Sequence, residues 1–181
     1  DSYNTGVGYN AGGNITTGVQ NTLIGGLAGD AITDADYNIA VGHRALTTNV
    51  LGSRSVAIGT DALYNQNPAS AADMYNTAVG FNAGNAITTA SRDTLIGGLA
   101  GDAITTGGYN VAVGYTSLGV TTTGASNVAV GDAALSSNTT AGSNTAVGAA
   151  ALTANTTGTN NNAYGNQALD QVTTGSQNIG I

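Results

Sequence analysis

Short apolar segments of three residues, each closed by glycine, recur along this chain at one spacing. Asn4-Thr5-Gly6-Val7-Gly8, Asn21-Thr22-Leu23-Ile24-Gly25, Asn38-Ile39-Ala40-Val41-Gly42 and Ser55-Val56-Ala57-Ile58-Gly59 open the series. It continues at 76–80, 93–97, 110–114, 127–131, 144–148 and 161–165, and starts again at Asn178. Every step is 17 residues except one of 21, whose four extra residues lie between Asn65 and Met74, around the only proline, Pro68. Residues 22–33 and 94–105 share the string TLIGGLAGDAIT, so a longer duplication overlies the short one. No apolar stripe of 3.6-residue period is present, which excludes an amphipathic helix. Short β-branched runs punctuated by Gly, Asn and Thr-Thr-Gly predict strand, turn, strand, turn in each unit. A unit that cannot bury its own face, repeated about ten times, predicts a β-solenoid, all-β and filling residues 1–181 as one domain. At a strand spacing of about 4.8 Å, ten coils make a rod of roughly 48 Å.

Numbering each unit from 1 to 17 gives its side chains roles. Position 1 is Asn at Asn4, Asn21, Asn38, Asn76, Asn110, Asn127, Asn144 and Asn161, with Ser55 and Asp93 as the exceptions. Stacked amides of this kind form hydrogen-bonded ladders. Position 5 is always glycine: Gly8, Gly25, Gly42, Gly59, Gly80, Gly97, Gly114, Gly131, Gly148 and Gly165. That invariance calls for a positive φ or a close backbone approach. Position 8 is Ala in every unit but the one carrying Ser117. Positions 9 and 12 exchange volume: Gly12, Gly29, Gly84 and Gly101 accompany Ile15, Ile32, Ile87 and Ile104. Leu46, Leu118, Leu135, Leu152 and Leu169 instead accompany Asn49, Thr121, Asn138, Asn155 and Val172. Close packing predicts one large aliphatic group per coil, joined in a narrow core by Ala and Val.

Along the strand, positions 3 and 5 point one way and positions 2 and 4 the other. Neither set is polar, so both faces are expected to be covered. One coil covers only one of them. The column Val7, Ile24, Val41, Ile58, Val79, Ile96, Val113, Val130 and Val147, closed by Tyr164, would then be an apolar stripe on a single chain. Association of copies about an axis along the solenoid removes it. The other arrangement places the stripe inside the coil and packs a loop on the small face.

Composition narrows the function. Only 7% of residues are charged and the net charge is −7, with Arg44, Arg54 and Arg92 the only bases. Three scattered arginines cannot neutralise a phosphate track, so nucleic acid is not an expected partner. The chain has no cysteine, which excludes disulfide staples and Cys-based zinc sites.

Ser55-Val56-Ala57-Ile58-Gly59 and Asn144-Thr145-Ala146-Val147-Gly148, each with Ala three residues on, resemble the repeat of the YadA-like head of trimeric autotransporter adhesins. Similar Asn-Thr-Ala-Val-Gly arrays with Ala-Leu and Asn-Thr-Thr-Gly occur in phage tail fibres and related surface-fibre proteins. The resemblance spans the whole chain. It implies a left-handed parallel β-roll, a parallel homotrimer, and a non-enzymatic adhesive or fibre role at a cell surface or on a virion. The adhesin head repeats in about 14 residues, so the 17-residue unit implies a wider coil here. No anchor barrel, stalk or signal peptide is recognisable, which makes the chain a segment of a longer fibre or a different fibre built on the same coil. The expected partners are further copies of itself, as a trimer or stacked end to end, and a host-surface glycan or protein. No cofactor and no membrane insertion are expected. The alternatives are a self-polymerising filament subunit and a carbohydrate- or ice-binding solenoid.

Candidate recognition residues are the aromatics at variable positions: Tyr9, His43, Phe81 and Tyr115 at position 6, and Tyr37 and Tyr109 at position 17, where Tyr3 and Tyr75 also fall. Aromatic rings on a weakly charged rod can stack on sugars, or simply cap turns of the coil. His43 is the only histidine, and no Ser–His–Asp set can be argued around it, so no catalytic residue is assigned. Asp30, Asp34 and Asp36 could hold a surface ion, although the period differs from that of calcium-binding rolls. The Thr-Thr pairs (such as Thr16-Thr17, Thr105-Thr106 and Thr156-Thr157) invite an ice-binding reading. Adjacent residues on a strand face opposite ways, which argues for a turn instead. The inserted loop at 65–74 is the one place where the surface is reshaped.

Overall fold

The computed structural model describes residues 2–181. Strands are the only regular elements among them: β1 (Thr5–Val7), β2 (Thr22–Ile24), β3 (Ile39–Val41), β4 (Gly52–Ser53), β5 (Val56–Ile58), β6 (Ala72–Asp73), β7 (Thr77–Val79), β8 (Thr94–Ile96), β9 (Val111–Val113), β10 (Val128–Val130), β11 (Thr145–Val147), β12 (Asn162–Tyr164) and β13 (Ile179–Gly180). Eleven of them form one parallel sheet in chain order, and β4 pairs with β6 in a second sheet of two strands. Register advances by one unit per strand, Thr5 lying on Thr22 and Val128 on Thr145. The inserted loop leaves it intact, since Val56 still pairs with Thr77. The chain is therefore a parallel β-solenoid of about ten coils.

Each coil satisfies its backbone on its neighbours. Thr5 N–H donates to the Asn21 carbonyl at 2.8 Å, and Gly25 N–H donates back to Val7 at the same distance. The ladder continues round the corner, with Leu27 N–H on Tyr9 O (2.8 Å) and Gly12 N–H on Ala28 O (3.0 Å). The second strand expected near Thr-Thr-Gly forms only as β4 and β6. Elsewhere the amides of Thr16, Thr17 and Gly18 all converge on the Thr33 carbonyl, at 3.0, 3.2 and 3.0 Å. Three donors focused on one acceptor bend the backbone too sharply for strand pairing.

Both readings of the position-5 glycine apply at once. Gly25 has φ +133° and a Cβ there would stand 2.5 Å from the Gly42 carbonyl oxygen of the next coil. Corners at positions 7, 9 and 17 use left-handed residues that are mostly not glycine, including Arg44, Leu46 and Tyr37 (φ 55°, 53° and 58°). Leucine at such a φ costs about 1–2 kcal/mol. Full burial of its side chain contributes about 1.5–3 kcal/mol, so burial offsets the strain. Leu46, Leu63, Leu118, Leu135 and Leu152 are all fully buried.

The interior confirms the exchange between positions 9 and 12 and adds a third participant. Where position 9 is Gly29, a Cβ would meet Leu23 Cδ2 at 2.8 Å and Ile32 Cδ1 at 2.9 Å. Leu23 stands at position 3, and Leu95 fills the same role beneath Gly84 and Gly101. The coils at 21–37 and 93–109 hold two large aliphatic groups rather than one, because glycine at position 9 vacates the space that Leu23 or Leu95 enters. No strand valine is part of the core, and only Val172, at position 12, packs against it. Position 3 is buried in coils two to ten, while position 4 faces out, with Val7 57%, Ile24 39% and Ile96 41% exposed. The arrangement with the stripe inside the coil is therefore excluded for the single chain.

Candidate recognition surface

Position 1 is a structural column. Asn38 N–H donates to Asn21 Oδ1 (2.9 Å), and Asn21 Nδ2 donates to the Ala35 carbonyl of its own coil (2.8 Å). The same pair of bonds recurs at Asn127, which accepts from Asn144 N–H and donates to Ala141 O. Each asparagine thus closes its own coil and receives the next. In the coil with Ser55, buried Gln66 takes over: Gln66 Nε2 donates to Ser55 Oγ (3.1 Å), and Gln66 Oε1 accepts from Asn76 Nδ2 (2.9 Å). Sequence reading left Gln66 without a role, although a polar residue at a core position was the signal.

Asp93 is the other exception. Its Oδ1 accepts from Asn110 N–H at 2.7 Å, but Oδ2 is buried without a partner. A carboxylate cannot donate as asparagine does, so Asn110 Nδ2 reaches back to the Gly107 carbonyl at 3.0 Å. Burial pushes the Asp93 carboxyl up to about 7, against the Asn110 amide hydrogen bond, which lowers it.

Three surfaces remain for recognition. The first is the outward strand face, where no charged residue stands at position 2 or 4 in any coil. Beside it runs the position-6 column, where Tyr9 (82%), Phe81 (57%) and Tyr115 (59%) are exposed, as is His43. His43 lies over Gly26, its Cδ2 3.6 Å from where a Cβ would be, and Tyr115 leans likewise over Gly98. The third surface is the position-17 column. It joins Tyr37 and Tyr109 to Tyr75 and to two arginines that sequence reading did not connect with them. Arg54 stacks on Tyr37 and Arg92 lies between Tyr75 and Tyr109. Their shared position in the unit was the missed signal. Columns 6 and 17 lie at opposite ends of each strand, so the structure does not bring the six candidate aromatics into one site.

The remaining polar groups serve the coil. Asp34 Oδ1 accepts the hydroxyls of Thr16 and Thr17 (2.9 and 2.6 Å), which hold its carboxyl below the usual range. Asp36 accepts from Val19 N–H at 2.8 Å. No three His, Cys, Asp or Glu side chains cluster as metal ligands among the described residues. In the Thr-Thr pairs the first hydroxyl turns onto the next coil, as Thr105 Oγ1 does on Thr122 O (3.1 Å), while the second residue stays exposed. Only the second residue is exposed at 105–106, 139–140 and 156–157, whereas both are exposed at 16–17, 88–89 and 173–174. In the inserted loop, Met74 and Pro68 are buried, while Asp73 pairs with Arg54 at 2.9 Å. Among the described residues no helix is long and apolar enough to cross a membrane.

No protein-family model matches this chain, and no curated protein or solved structure matches it either.

Proposed function

We propose that this chain is a non-enzymatic segment of an extracellular fibre, in which copies run in parallel as a homotrimer and present a repetitive side surface for attachment. The observation that carries this reading is the outward strand face. It is a column of Val and Ile, uncharged at every position 2 and 4, on a chain of net charge −7. An apolar strip of that length is a feature of interaction surfaces. Copies in parallel set identical residues opposite one another, so association closes symmetrically instead of growing sideways. The resemblance of residues 55–59 and 144–148 to YadA-like head repeats supports the same reading and supplies the trimer number and the location. Stiffness would come from the unbroken bonding between coils, which makes each coil depend on its neighbours.

Analytical ultracentrifugation with small-angle scattering tests the proposal. The expected result is an elongated trimer. Double substitution of outward residues, Val113→Asp with Val130→Asp, should return it to monomer with its β-sheet signal unchanged. A wild-type monomer at concentrations near 100 μM would overturn the assembly.

A further inference from the structure

Five consecutive coils carry Tyr37, Arg54, Tyr75, Arg92 and Tyr109 at position 17. All five have a left-handed φ, from 54° to 63°. This conformation sets them at a corner, outside the buried column at position 1. Side chains there stack along the solenoid axis. The Arg54 guanidinium carbon is 4.6 Å from the Tyr37 ring centre, and that of Arg92 is 5.9 and 5.3 Å from those of Tyr75 and Tyr109. Arg92 Nη1 also donates to the Tyr109 hydroxyl at 2.8 Å.

The two arginines differ in charge balance. Arg54 is paired with Asp73 at 2.9 Å, as Arg44 is with Asp61 at 2.8 Å. Arg92 has no carboxylate within ion-pair distance among the described residues. Among the described residues it is the one arginine without an ion pair, on a chain of net charge −7. Two tyrosine rings hold it in place, each about half exposed (Tyr75 49%, Tyr109 58%). A guanidinium held this way keeps free donors for a carboxylate or sulfate in fork geometry. The flanking rings offer apolar faces of the kind on which sugar rings stack.

We propose that the position-17 column from Tyr75 to Tyr109 binds an acidic oligosaccharide. Arg92 pairs with the anionic group and the two tyrosines take the sugar rings beside it. Geometry and charge select this class. The column is a ridge with no cavity beside it, whereas small-molecule sites enclose most of their ligand. A nucleic-acid backbone needs several cations in a row, and here Asp73 already neutralises Arg54. An oligosaccharide with sparse charge needs one cation and neighbouring apolar faces. The inference is independent of the assembly proposed above, since every residue in it comes from one chain.

The test is binding of the whole protein to three immobilised probes, with its sedimentation measured in the same samples. The probes are a sulfated hexasaccharide, a sialylated trisaccharide and a neutral counterpart of matched length. Wild type should bind at least one acidic probe, weaken with salt and ignore the neutral one. The two acidic arms tell sulfate from carboxylate. Arg92→Gln should reduce acidic binding at least tenfold, and Tyr75→Ala with Tyr109→Ala should do the same. Arg54→Gln together with Asp73→Asn removes the ion pair without changing the net charge and should leave binding within twofold. Asp73→Asn alone should strengthen it by freeing a second cation. Arg54→Gln alone should weaken it less than Arg92→Gln by unpairing Asp73, whose carboxylate accepts from the Tyr75 hydroxyl at 3.1 Å. Wild type that binds neither acidic probe at millimolar concentration would overturn the proposal. So would equal losses in Arg92→Gln and Arg54→Gln, which mark a diffuse charge effect. Loss of binding counts only where amide exchange of the variant matches wild type, and Arg92→Lys, which keeps the charge without the fork, should recover part of it. A monomer that binds the acidic probe would sink the trimer and leave this site standing.

Discussion

Asn110 donates its backbone amide to the buried carboxylate of Asp93 across 2.7 Å, and Asp93 returns nothing to its own coil. At the other complete position-1 links, an asparagine both accepts from the next coil and donates to the position-15 carbonyl of its own. Asp93 does the first and, while ionised, cannot do the second.

That asymmetry has a pH signature. The Asp93 carboxyl is raised from 3.8 to about 7 by burial. A group whose acid form is favoured in the folded state stabilises fully below its unfolded value and loses that contribution as pH rises through its folded one. Thermal stability, with ionic strength fixed, should therefore fall from about pH 4 to 7 through this residue and level off above. Asp93→Asn should abolish this component and stabilise the protein at pH 8 by about 1–3 kcal/mol, the cost of a buried unsatisfied group. Melting curves of the two proteins across that range decide it. Identical slopes would show that Asp93 does not titrate there.

Glycine at position 5 should tolerate nothing larger. Gly114→Ala places a methyl against the Gly131 carbonyl, its carbon 2.6 Å away, at φ +135°. The expected loss exceeds about 3 kcal/mol, since backbone strain and a backbone clash add. Gly26→Ala is the control, because its nearest neighbour is the His43 ring at 3.6 Å. Amide exchange across β8, β9 and β10 should collapse in the first variant and stay intact in the second.

Core volume should be exchangeable between coils. Gly101→Leu alone drives a side chain into Ile104 Cδ1 and Leu95 Cδ2, both 2.8 Å from its Cβ, and should cost about 1–3 kcal/mol by overpacking. Adding Leu95→Ala and Ile104→Asn recreates the composition of the coils with Leu135 and Leu152 and should recover most of the loss. Chemical denaturation of the single and triple variants measures this. A triple variant no better than the single one would mean that volume is not what the coils exchange.

Leu118→Ala should cost about 2–5 kcal/mol by opening a cavity. The buried leucine is fully enclosed between neighbouring coils. Leu27→Ala, at position 7 and only partly buried, should cost much less. The ratio of the two, measured by denaturation, reports directly on which leucine column is the core.

The sequence alone determined the periodic part of this protein: the 17-residue step, the strand at positions 2–4, the glycine at 5, the asparagine ladder and the exchange between positions 9 and 12. Those features repeat ten times, so chance is averaged out and each position reports one environment. Tertiary structure decided what a single unit does not encode. Which strand face turns outward depends on corners made by left-handed residues at positions 7, 9 and 17, where Leu46 or Tyr37 gives no sign of its φ. Leu23 beneath Gly12, Gln66 accepting from Asn76, and Arg92 between Tyr75 and Tyr109 are contacts between coils. Their partners lie 10 to 20 residues away along the chain, and only stacking brings them within reach.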